Sequence, residues 1–218
     1  MTKFYKFIRA VFLKPVRAVF RIHVTDPENM LRDQGCLLCA NHTSMLDVLI
    51  LSAGLDCQIR YMAKKELFSI PLLKQLITAL GAYPVNRGGA DVSSIKRTIA
   101  LLGEGQPVGI FPQGTRHPGV DPAGTPIKNG IGMITWHAKA PVVPLYIRTK
   151  GNRVRFFQKT ELIVGHPISF EEMGMTGSGT AQYNAAAEKV FREICALGGY
   201  TRALPAPAAS ETPTEEAK

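Results

Sequence analysis

The stretch Gly35–Leu51 reads GCLLCANHTSMLDVLIL, and it indicates the fold more clearly than any other part of the chain. It opens with a short apolar run typical of a buried strand, and from Val48 onward it reads as the start of an apolar helix. Between these lie His42 and Asp47. Residues five positions apart on a regular helix lie roughly 140° apart around its axis. The two side chains therefore meet only if a strand ends near His42 and a helix begins near Asp47.

This pair of residues suits proton transfer. Histidine can take a proton near neutral pH, and a carboxylate can hold its other ring nitrogen in the useful tautomer. Two structural interpretations remain open beside this one. The run from Ser44 to Asp47 is also a capping box, in which Ser44 caps the helix and Asp47 binds the amide of Ser44. A histidine taken alone is more often a satisfied core or loop residue than a base.

The composition is that of an ordinary globular protein. The chain has 218 residues, 45% hydrophobic and 20% charged, which indicates one domain of moderate size that needs no disulfide or metal for its core. The formal net charge of +9 predicts an anionic partner, such as nucleic acid, a membrane surface or a phosphorylated substrate. The sequence contains no nucleic-acid-binding motif, so we expect no nucleic-acid partner.

The cysteines predict free thiols rather than a covalent framework. Cys36, Cys39, Cys57 and Cys195 lie in apolar surroundings without framework-like spacing, which favours buried thiols in a reducing cytoplasm. Cys36 and Cys39, followed by His42, resemble half of a zinc site. No second pair completes it, so we predict no metal.

Residues 1–23 are the most unusual segment in composition. Basic and apolar residues alternate there, and on a helical wheel the basic ones fall within an arc of roughly 140°. The basic residues are Lys3, Lys6, Arg9, Lys14, Arg17 and Arg21, and the apolar ones are Phe4, Phe7, Ile8, Val11, Phe12, Val16, Val19 and Phe20. The segment lacks the apolar run of a membrane span, and charges interrupt what would be the core of a signal peptide. We predict a helix, or two helices broken at Pro15, in the membrane interface; the alternative is an amphipathic helix packed on its own domain.

From residue 35 onward, strand-like and helix-like stretches alternate, which is the pattern of an α/β domain. The predicted strands are Gly35–Ala40, Gln58–Ala63, Ala82–Val85, Pro107–Phe111, Val142–Ile147 and Glu161–Val164. The predicted helices are Val48–Ala53, Leu72–Leu80, Val92–Leu102, Ile131–Ala138 and a last one from Thr180, as its cap, to Gly198. We place the domain at residues 24–200 and a disordered Pro/Ala/Glu-rich tail at residues 201–218.

Three further blocks have sequences that suit a binding site or its frame. Phe111–Arg116 reads FPQGTR after a short strand; its glycine frees backbone amides to approach an anion or a developing oxyanion, and its arginine suits phosphate. The alternative interpretation is a simple turn whose arginine is exposed to solvent. Gly81–Gly89 is a similar corner that contains Arg87, either a phosphate ligand or a surface charge. Ala140–Ile147 is a stiff apolar strand that lines an acyl pocket or fills the core.

These blocks, in this order, resemble the motifs of the 1-acylglycerol-3-phosphate acyltransferase (lysophosphatidic acid acyltransferase) family of glycerolipid acyltransferases. The motif Asn-His-x-x-x-x-Asp matches Asn41–Asp47, and a Val-Pro strand matches Val142–Ile147. The glycine-led strand that ends in arginine matches Gly81–Arg87, with Asn86 where aspartate is more usual. Phe-Pro-Glu-Gly-Thr-Arg matches the FPQGTR block, with Gln113 replacing the usual glutamate.

The resemblance implies a single mixed-sheet acyltransferase domain flanked by helices. It implies transfer of a fatty acyl group from a thioester to the free hydroxyl of lysophosphatidic acid. His42 would be the general base and Asp47 would orient it. Arg87 and Arg116 would clamp the phosphate, with the amides of Gly114 and Thr115 nearby, and Gln113 would tune the substrate site.

The resemblance implies no cofactor, since acyl-CoA or acyl-carrier protein would be the acyl-donor substrate. We expect an anionic membrane surface as a partner. If acyl-carrier protein is the acyl donor, we expect that protein as a partner as well. The expected location is that of a peripheral protein on the cytoplasmic face of the cell membrane. Two alternatives stay open: an acyltransferase for glycerol-3-phosphate or another lysolipid, and a non-catalytic module that binds anionic lipid.

Overall fold

The computed structural model describes residues 3–85 and 92–203. Within these residues the strands are β1 (Ile22–Thr25), β2 (Leu37–Ala40), β3 (Arg60–Lys64), β4 (Ala82–Val85), β5 (Val108–Ile110), β6 (Val142–Arg148) and β7 (Thr160–Val164). The α-helices are α1 (Lys3–Ile8), α2 (Lys14–Val19), α3 (Asp47–Gly54), α4 (Pro71–Ala79), α5 (Val92–Gly103), α6 (Gly130–Ala138) and α7 (Thr180–Gly198). Short 3-10 turns span Pro27–Asn29, Lys65–Ser69, Pro122–Gly124 and Lys150–Asn152.

The strands of the described residues form one mixed sheet in the order β1-β7-β6-β2-β5-β3-β4. Strands β2 to β6 are mutually parallel, whereas β7 runs antiparallel to β6 and β1 runs parallel to β7. The α/β fold with a mixed sheet is therefore confirmed. The five parallel strands end at one edge of the sheet, which we call the carboxyl edge.

Helices cover both faces of this sheet. Strand β2 is buried on both sides, since Leu38 and Ala40 join one apolar cluster and Leu37 and Cys39 join the other. The first cluster contains side chains of α1 to α3, and the second contains side chains of α5 to α7. A central parallel strand covered on both faces reads as a continuous apolar run, which explains why the sequence reveals β2 so clearly.

The N-terminal segment is helical from Lys3 to Val19 without a break at Pro15. A wide π-helical turn, Arg9–Leu13, joins α1 to α2, and the amide of Lys14 donates to the carbonyl of Arg9. In a regular helix the ring of Pro15 would clash with the carbonyl four residues earlier, and the wider turn relieves that conflict. Of the two predicted forms, the single helical path is the one observed.

One face of this helix packs against its own domain. Tyr5, Leu13 and Phe20 are buried in the first apolar cluster, and the hydroxyl of Tyr5 donates to the carbonyl of Cys57 at 3.0 Å. Arg9 forms an ion pair with Asp56 at 2.5 Å.

The apolar face predicted for this helix is divided between the core and the surface. Ile8, Phe12, Val16 and Val19 pack on the domain with Phe20, whereas Phe4, Phe7 and Val11 remain exposed.

Two predicted boundaries differ from the fold. The sequence predicts that the membrane-interface segment extends to residue 23, but β1 begins at Ile22 and pairs with β7 from Thr160 onward. The predicted tail begins at residue 201, yet Arg202 binds Glu188, Ala123 and Thr125 of the domain. Residues 204–218 lie outside the described residues. Helix α7 begins at Thr180 as predicted, but Gly179 rather than Thr180 is its N-cap.

In the two ranges that the structure describes, no helix combines the length and the apolar character needed to cross a membrane.

Candidate active site

The carboxyl edge brings the first and third motifs together. The loop that contains His42 follows β2, and Phe111–Arg116 follows β5, the neighbour of β2 in the sheet. Sites in parallel α/β sheets form beyond the carboxyl ends of adjacent strands, because their loops converge there. Two blocks about 70 residues apart in the chain therefore meet in one place.

His42 and Asp47 form a hydrogen-bonded pair. The ring nitrogen Nδ1 of His42 lies 2.8 Å from Oδ2 of Asp47, which is fully buried at the first position of α3. The same carboxylate oxygen accepts the amides of Thr43 and Ser44 at 2.7 and 2.8 Å. Because a carboxylate only accepts hydrogen bonds, Nδ1 carries a proton, and in the neutral imidazole this leaves the lone pair on Nε2. The predicted change from strand to helix between the two residues is confirmed, since β2 ends at Ala40.

Asp47 also fulfils half of the capping box. Its carboxylate binds the amide of Ser44, as that motif requires. The hydroxyl of Ser44, however, accepts from the amide of Leu46 at 3.2 Å rather than from that of Asp47. One carboxylate thus both supports the start of α3 and orients His42, so the structural and the chemical interpretation hold together.

Phe111 fixes the plane of the His42 ring. The two rings stack with centroids 4.0 Å apart and planes inclined by 15°. The His42 side chain keeps 16% of its surface exposed. Stacking on one face and the Asp47 bond at one nitrogen leave the imidazole a single orientation with access from solvent.

Gln113 holds the backbone of His42. Its side-chain oxygen accepts from the His42 amide at 2.6 Å, and its side-chain nitrogen donates to the hydroxyl of Thr125 at 2.7 Å. Thr125 in turn donates to the carbonyl of Pro122 at 2.7 Å. Gln113 is only 3% exposed, so its position differs from the expected place beside the substrate. It supports the histidine because both its polar ends are occupied inside the protein.

A second residue of the same loop binds the backbone carbonyl of His42. The amide of His117 donates to the His42 carbonyl at 2.8 Å. The loop of the third motif therefore binds His42 on both sides, by Gln113 at the amide and by His117 at the carbonyl.

The predicted anion-binding residues of this loop lie at the surface. Gly114, Thr115 and Arg116 are all exposed, and Gly114 adopts a left-handed backbone with φ +68°. Its amide donates to the carbonyl of Phe111 at 3.0 Å, so this amide closes the turn and is not free for the phosphate as expected. Within the described ranges Arg116 forms no ion pair, and its guanidinium is available to an anion.

Lys128 adds a second cation beside the loop. A Cβ at position 114 would lie 3.0 Å from the Cε of Lys128, so the lysine stem packs directly over Gly114. The amide of Lys128 also donates to the carbonyl of Pro112 at 2.9 Å. A glycine at position 114 thus serves both the left-handed turn and this close approach.

Arg202 fastens the loop that supports Gln113. Its Nη1 donates to the carbonyls of Ala123 and Thr125, each at 2.8 Å. Its Nε and Nη2 bind both carboxylate oxygens of Glu188 on α7 at 2.7 and 2.9 Å. Hydrogen bonds therefore run from α7 through Thr125 and Gln113 to His42. The sequence does not reveal this role, because a single arginine beyond the glycines that end a helix gives no local signal.

Asn41 is a further residue whose role the sequence did not show. It is buried, and its side chain accepts from the amide of Ile147 at 2.7 Å and donates to the carbonyl of the same residue at 3.2 Å. These bonds join the end of β2 to β6. The asparagine of the first motif therefore fixes the strand end from which His42 projects.

Arg87, the second predicted phosphate ligand, lies outside the described residues, as does Asn86. Strand β4 ends at Val85, and its carboxyl end lies on the carboxyl edge. The role of Arg87 stays a prediction.

Burial makes the thiols poor nucleophiles. It raises the pKa of Cys36 to about 12 and those of Cys57 and Cys195 to about 11, and it raises the pKa of Cys39 well above its usual range. A thiol with such a pKa stays protonated at neutral pH. Across the described ranges, no group of three or more histidine, cysteine or acidic side chains is placed to hold a metal ion.

An open groove of about 730 Å³ lies beside β4, the edge strand, and α4. It is lined by Lys65, Glu66, Phe68, Ser69, Lys74, Thr78, Ala82, Tyr83 and Pro84. None of these residues belongs to the loops around His42. The groove therefore does not include the residues that hold His42.

Comparison with known proteins points to one family. A family model described as acyltransferase matches residues 21–148, a range that contains every predicted site residue. The 1-acyl-sn-glycerol-3-phosphate acyltransferase of Bacillus subtilis is 38% identical over 150 residues, which cover 67% of this chain and 73% of that protein. The protein of the same name from Borreliella burgdorferi is 33% identical over 110 residues, 48% of this chain and 42% of its own length.

A solved structure shares the fold. The crystal structure of the 1-acyl-sn-glycerophosphate (LPA) acyltransferase PlsC from Thermotoga maritima superposes with a TM-score of 0.65 at 21% sequence identity. The superposition covers 91% of this chain and 83% of that one. The similarity extends over the sheet and its helices together.

Proposed function

Because the chain belongs to the acyltransferase family, we propose that it transfers a fatty acyl group from an acyl thioester to the free hydroxyl of 1-acylglycerol-3-phosphate. The product would be phosphatidic acid, in phospholipid biosynthesis. The observation that carries the proposal is the His42–Asp47 pair at 2.8 Å, held by the loop of the third motif. The names of the Bacillus and Borreliella relatives support this acceptor.

His42 acts as the general base in this reaction. A glycerol hydroxyl is a weak nucleophile until its proton is withdrawn, and Nε2 of His42 has the lone pair to accept that proton. The hydroxyl oxygen then attacks the carbonyl carbon of the thioester. Asp47 keeps Nδ1 protonated and stabilises the imidazolium that forms.

The second half of the reaction returns the proton. The tetrahedral intermediate collapses, the carbon–sulfur bond breaks, and the imidazolium of His42 protonates the departing sulfur. The products are the new ester and a free thiol, so no group on the enzyme becomes acylated. The protonated state of the buried cysteines agrees with a mechanism that needs no enzyme nucleophile.

Basic side chains at the carboxyl edge recognise the acceptor phosphate. Arg116 is exposed on the loop that holds His42, and Lys128 packs beside it over Gly114. A guanidinium binds phosphate through paired hydrogen bonds, whereas an ammonium acts as a point charge. We assign the main contact to Arg116, and we propose Arg87, which follows β4 in the sequence, as its partner.

The acyl donor is a substrate, either acyl-CoA or acyl-carrier protein, and the reaction needs no cofactor. Both donors present the acyl group as a thioester, so the chemistry at His42 is the same for each. The positive charge of the chain suits either, since both donors are acidic.

The N-terminal helix supports a peripheral position on the cytoplasmic face of the membrane. Phe4, Phe7 and Val11 are each about 60% exposed while the opposite face packs on the domain. Exposed aromatic side chains among basic ones are typical of helices that lie in the membrane interface. The acceptor carries an acyl chain, so an enzyme at the membrane surface meets it directly.

One set of reactions tests the proposed function. The purified protein is incubated with lysophosphatidic acid or glycerol-3-phosphate, each with acyl-CoA or acyl-carrier protein, and the products are identified by mass spectrometry. We expect phosphatidic acid from lysophosphatidic acid with at least one donor. Product only from glycerol-3-phosphate would change the acceptor, and no product from any combination would favour a non-catalytic lipid-binding module.

A further inference from the structure

The loop between β6 and β7 ends in an exposed aromatic tip. Phe156 and Phe157 occupy a turn and are 63% and 73% exposed. Large apolar side chains in adjacent exposed positions are unusual on a soluble surface and indicate an interaction site. Neither residue takes part in the proposed chemistry.

The tip is surrounded by positive charge. Residues 149–159 contain Lys150, Arg153, Arg155 and Lys159 and no acidic residue. Arg155 and Lys159 are exposed on either side of the two phenylalanines. The combination of an apolar tip and a cationic rim is complementary to an anionic bilayer, whose surface is negative and whose interior is apolar.

The tip has a defined conformation that is held by contacts with the N-terminal helix. Phe157 adopts a left-handed backbone with φ +62°, an uncommon conformation for a bulky residue. Its amide donates to the carbonyl of Val19 at 2.9 Å, and the ring of Phe156 lies 5.2 Å from that of Phe20. The tip is thereby attached to the end of the N-terminal helix.

The tip also lies on the side of the molecule that carries the active site. Its loop leaves the carboxyl end of β6, and Asn152 in that loop accepts the amide of Gly119 and donates to the carbonyl of Val120. Residues 117–120 directly follow Arg116, and His117 binds the His42 carbonyl. Contact between the tip and a bilayer would therefore bring the His42 site towards the lipid.

Other exposed apolar residues lie beyond the same carboxyl edge of the sheet. In the described residues outside the N-terminal helix, every strongly exposed large apolar side chain lies in a loop or first helical turn beyond a carboxyl strand end. These residues are Met45 after β2, Leu67, Ile70 and Leu72 after β3, Val92 after β4, Val120 after β5, and the two phenylalanines after β6. Within this series the tip supplies the aromatic side chains.

We infer that the tip Phe156–Phe157 inserts into the interface of an anionic membrane and orients the carboxyl edge towards the bilayer. The inference adds a membrane contact to that of the N-terminal helix, and it rests on the proposed function for the membrane-borne acceptor. The partner that we propose for the tip is a bilayer that contains anionic lipid.

Vesicle binding tests this inference. The full-length protein and its Phe157→Ser variant are sedimented with vesicles of phosphatidylglycerol and phosphatidylcholine in equal parts, and with vesicles of phosphatidylcholine alone. Loss of one inserted phenylalanine should weaken partitioning into the anionic vesicles about tenfold. Phe157→Leu, which keeps an apolar side chain, is the matched control and should bind nearly as the parent does. Equal binding by the serine variant and the parent would overturn the inference.

A spectroscopic measurement covers the case in which the serine variant folds poorly. Trp136 is the one tryptophan of the chain, so Trp136→Phe combined with Phe157→Trp places a single reporter at the tip. Its emission should shift to the blue on addition of anionic vesicles and be quenched by brominated lipid. An unchanged spectrum with vesicle-bound protein would contradict insertion.

Activity on dispersed substrate separates this inference from the proposed function. Phe157→Ser should retain parental activity on lysophosphatidic acid in detergent, where no bilayer orients the enzyme. Absence of that activity in the parent protein would refute the proposed function. The vesicle experiment would then still test whether the tip binds the membrane. A defect of the serine variant in detergent with acyl-carrier protein alone would assign the tip to that donor and overturn the membrane assignment.

Discussion

The side-chain oxygen of Gln113 accepts a hydrogen bond from the backbone amide of His42 at 2.6 Å, so the third motif holds the first in place. The side-chain nitrogen of Gln113 is bound in turn by Thr125. A residue expected to contact the substrate thus acts one step behind the base. This relationship leads to two predictions about residues that do not reach the reacting atoms.

Replacement of Gln113 should affect turnover more than substrate binding. Gln113→Ala leaves the His42 amide without its partner, which costs roughly 1–3 kcal/mol of stability and loosens the imidazole. We expect a lower kcat with a nearly unchanged KM for the acceptor. Gln113→Glu keeps an acceptor oxygen for His42 and should retain more activity than the alanine variant. Equal losses in both variants, or a change confined to KM, would argue against this positioning role.

Arg202 should stabilise the domain and support the site through Thr125. Arg202→Ala removes an ion pair that is mostly buried and two bonds to carbonyls, so we expect a loss of roughly 1–3 kcal/mol in the free energy of unfolding. Chemical denaturation measures it. A chain that ends after Ala203 should unfold like the parent, whereas one that ends after Thr201 should show the loss. If both truncated chains match the parent, the Arg202 contacts do not stabilise the domain.

The exposed face of the N-terminal helix should bind anionic membranes. Phe4→Ser combined with Phe7→Ser removes apolar surface that is already exposed, so the fold should be unaffected while binding to anionic vesicles falls about tenfold or more. Sedimentation with vesicles measures this effect. Unchanged binding would place the membrane contact elsewhere on the chain. Deletion of residues 1–23 is a poor test, because it also removes Tyr5, Leu13 and Phe20 from the core and the start of β1.

Arg116 should govern recognition of the phosphate. A charge-assisted contact contributes roughly 1.5–3 kcal/mol, so Arg116→Ala should raise the KM for lysophosphatidic acid tenfold or more with little effect on the KM for the donor. Steady-state kinetics with each substrate varied in turn give both values. Arg87→Ala should act in the same direction. Normal acceptor kinetics in both variants, with a defect in Lys128→Ala, would transfer the phosphate site to Lys128.

Much of the fold follows from the sequence because its central strands are buried on both sides. The apolar runs that become β2 and β6 are covered by helices on each face, and such runs are visible in a single sequence. Strand β1 is not visible in the sequence because Ile22–Thr25 is short and its hydrogen bonds are to β7, which lies more than 130 residues further along the chain. The basic and apolar alternation before it extends to Arg21 and conceals the end of the helix.

The candidate site was predictable only where one short segment contains both partners. His42 and Asp47 are close in sequence, and the change from strand to helix that brings them together can be read locally. The contacts of Gln113, Thr125 and Arg202 join distant segments, and nothing in their own neighbourhood reveals which atoms they meet.

The membrane prediction shows the same limit. The helical wheel of residues 1–23 separates cations from apolar residues, but it does not reveal which apolar residues the domain will cover. Packing assigns Tyr5 and Leu13 to the core and leaves Phe4 and Phe7 at the surface. That division depends on where the helix docks, which is a property of the complete fold.

The turnover of the His42→Ala enzyme tests the central claim most directly. The measurement is kcat for acyl transfer to lysophosphatidic acid, made with whichever donor the parent uses and with thermal unfolding as the check on folding. Asp47→Asn, which can still accept the amides of Thr43 and Ser44, serves as the companion variant and should also lose most activity because it favours the wrong tautomer. For His42→Ala we predict a fall of about 10²–10⁴-fold in a protein that remains folded, since it loses its general base. A folded His42→Ala enzyme with turnover near that of the parent would contradict the claim that this histidine is the base.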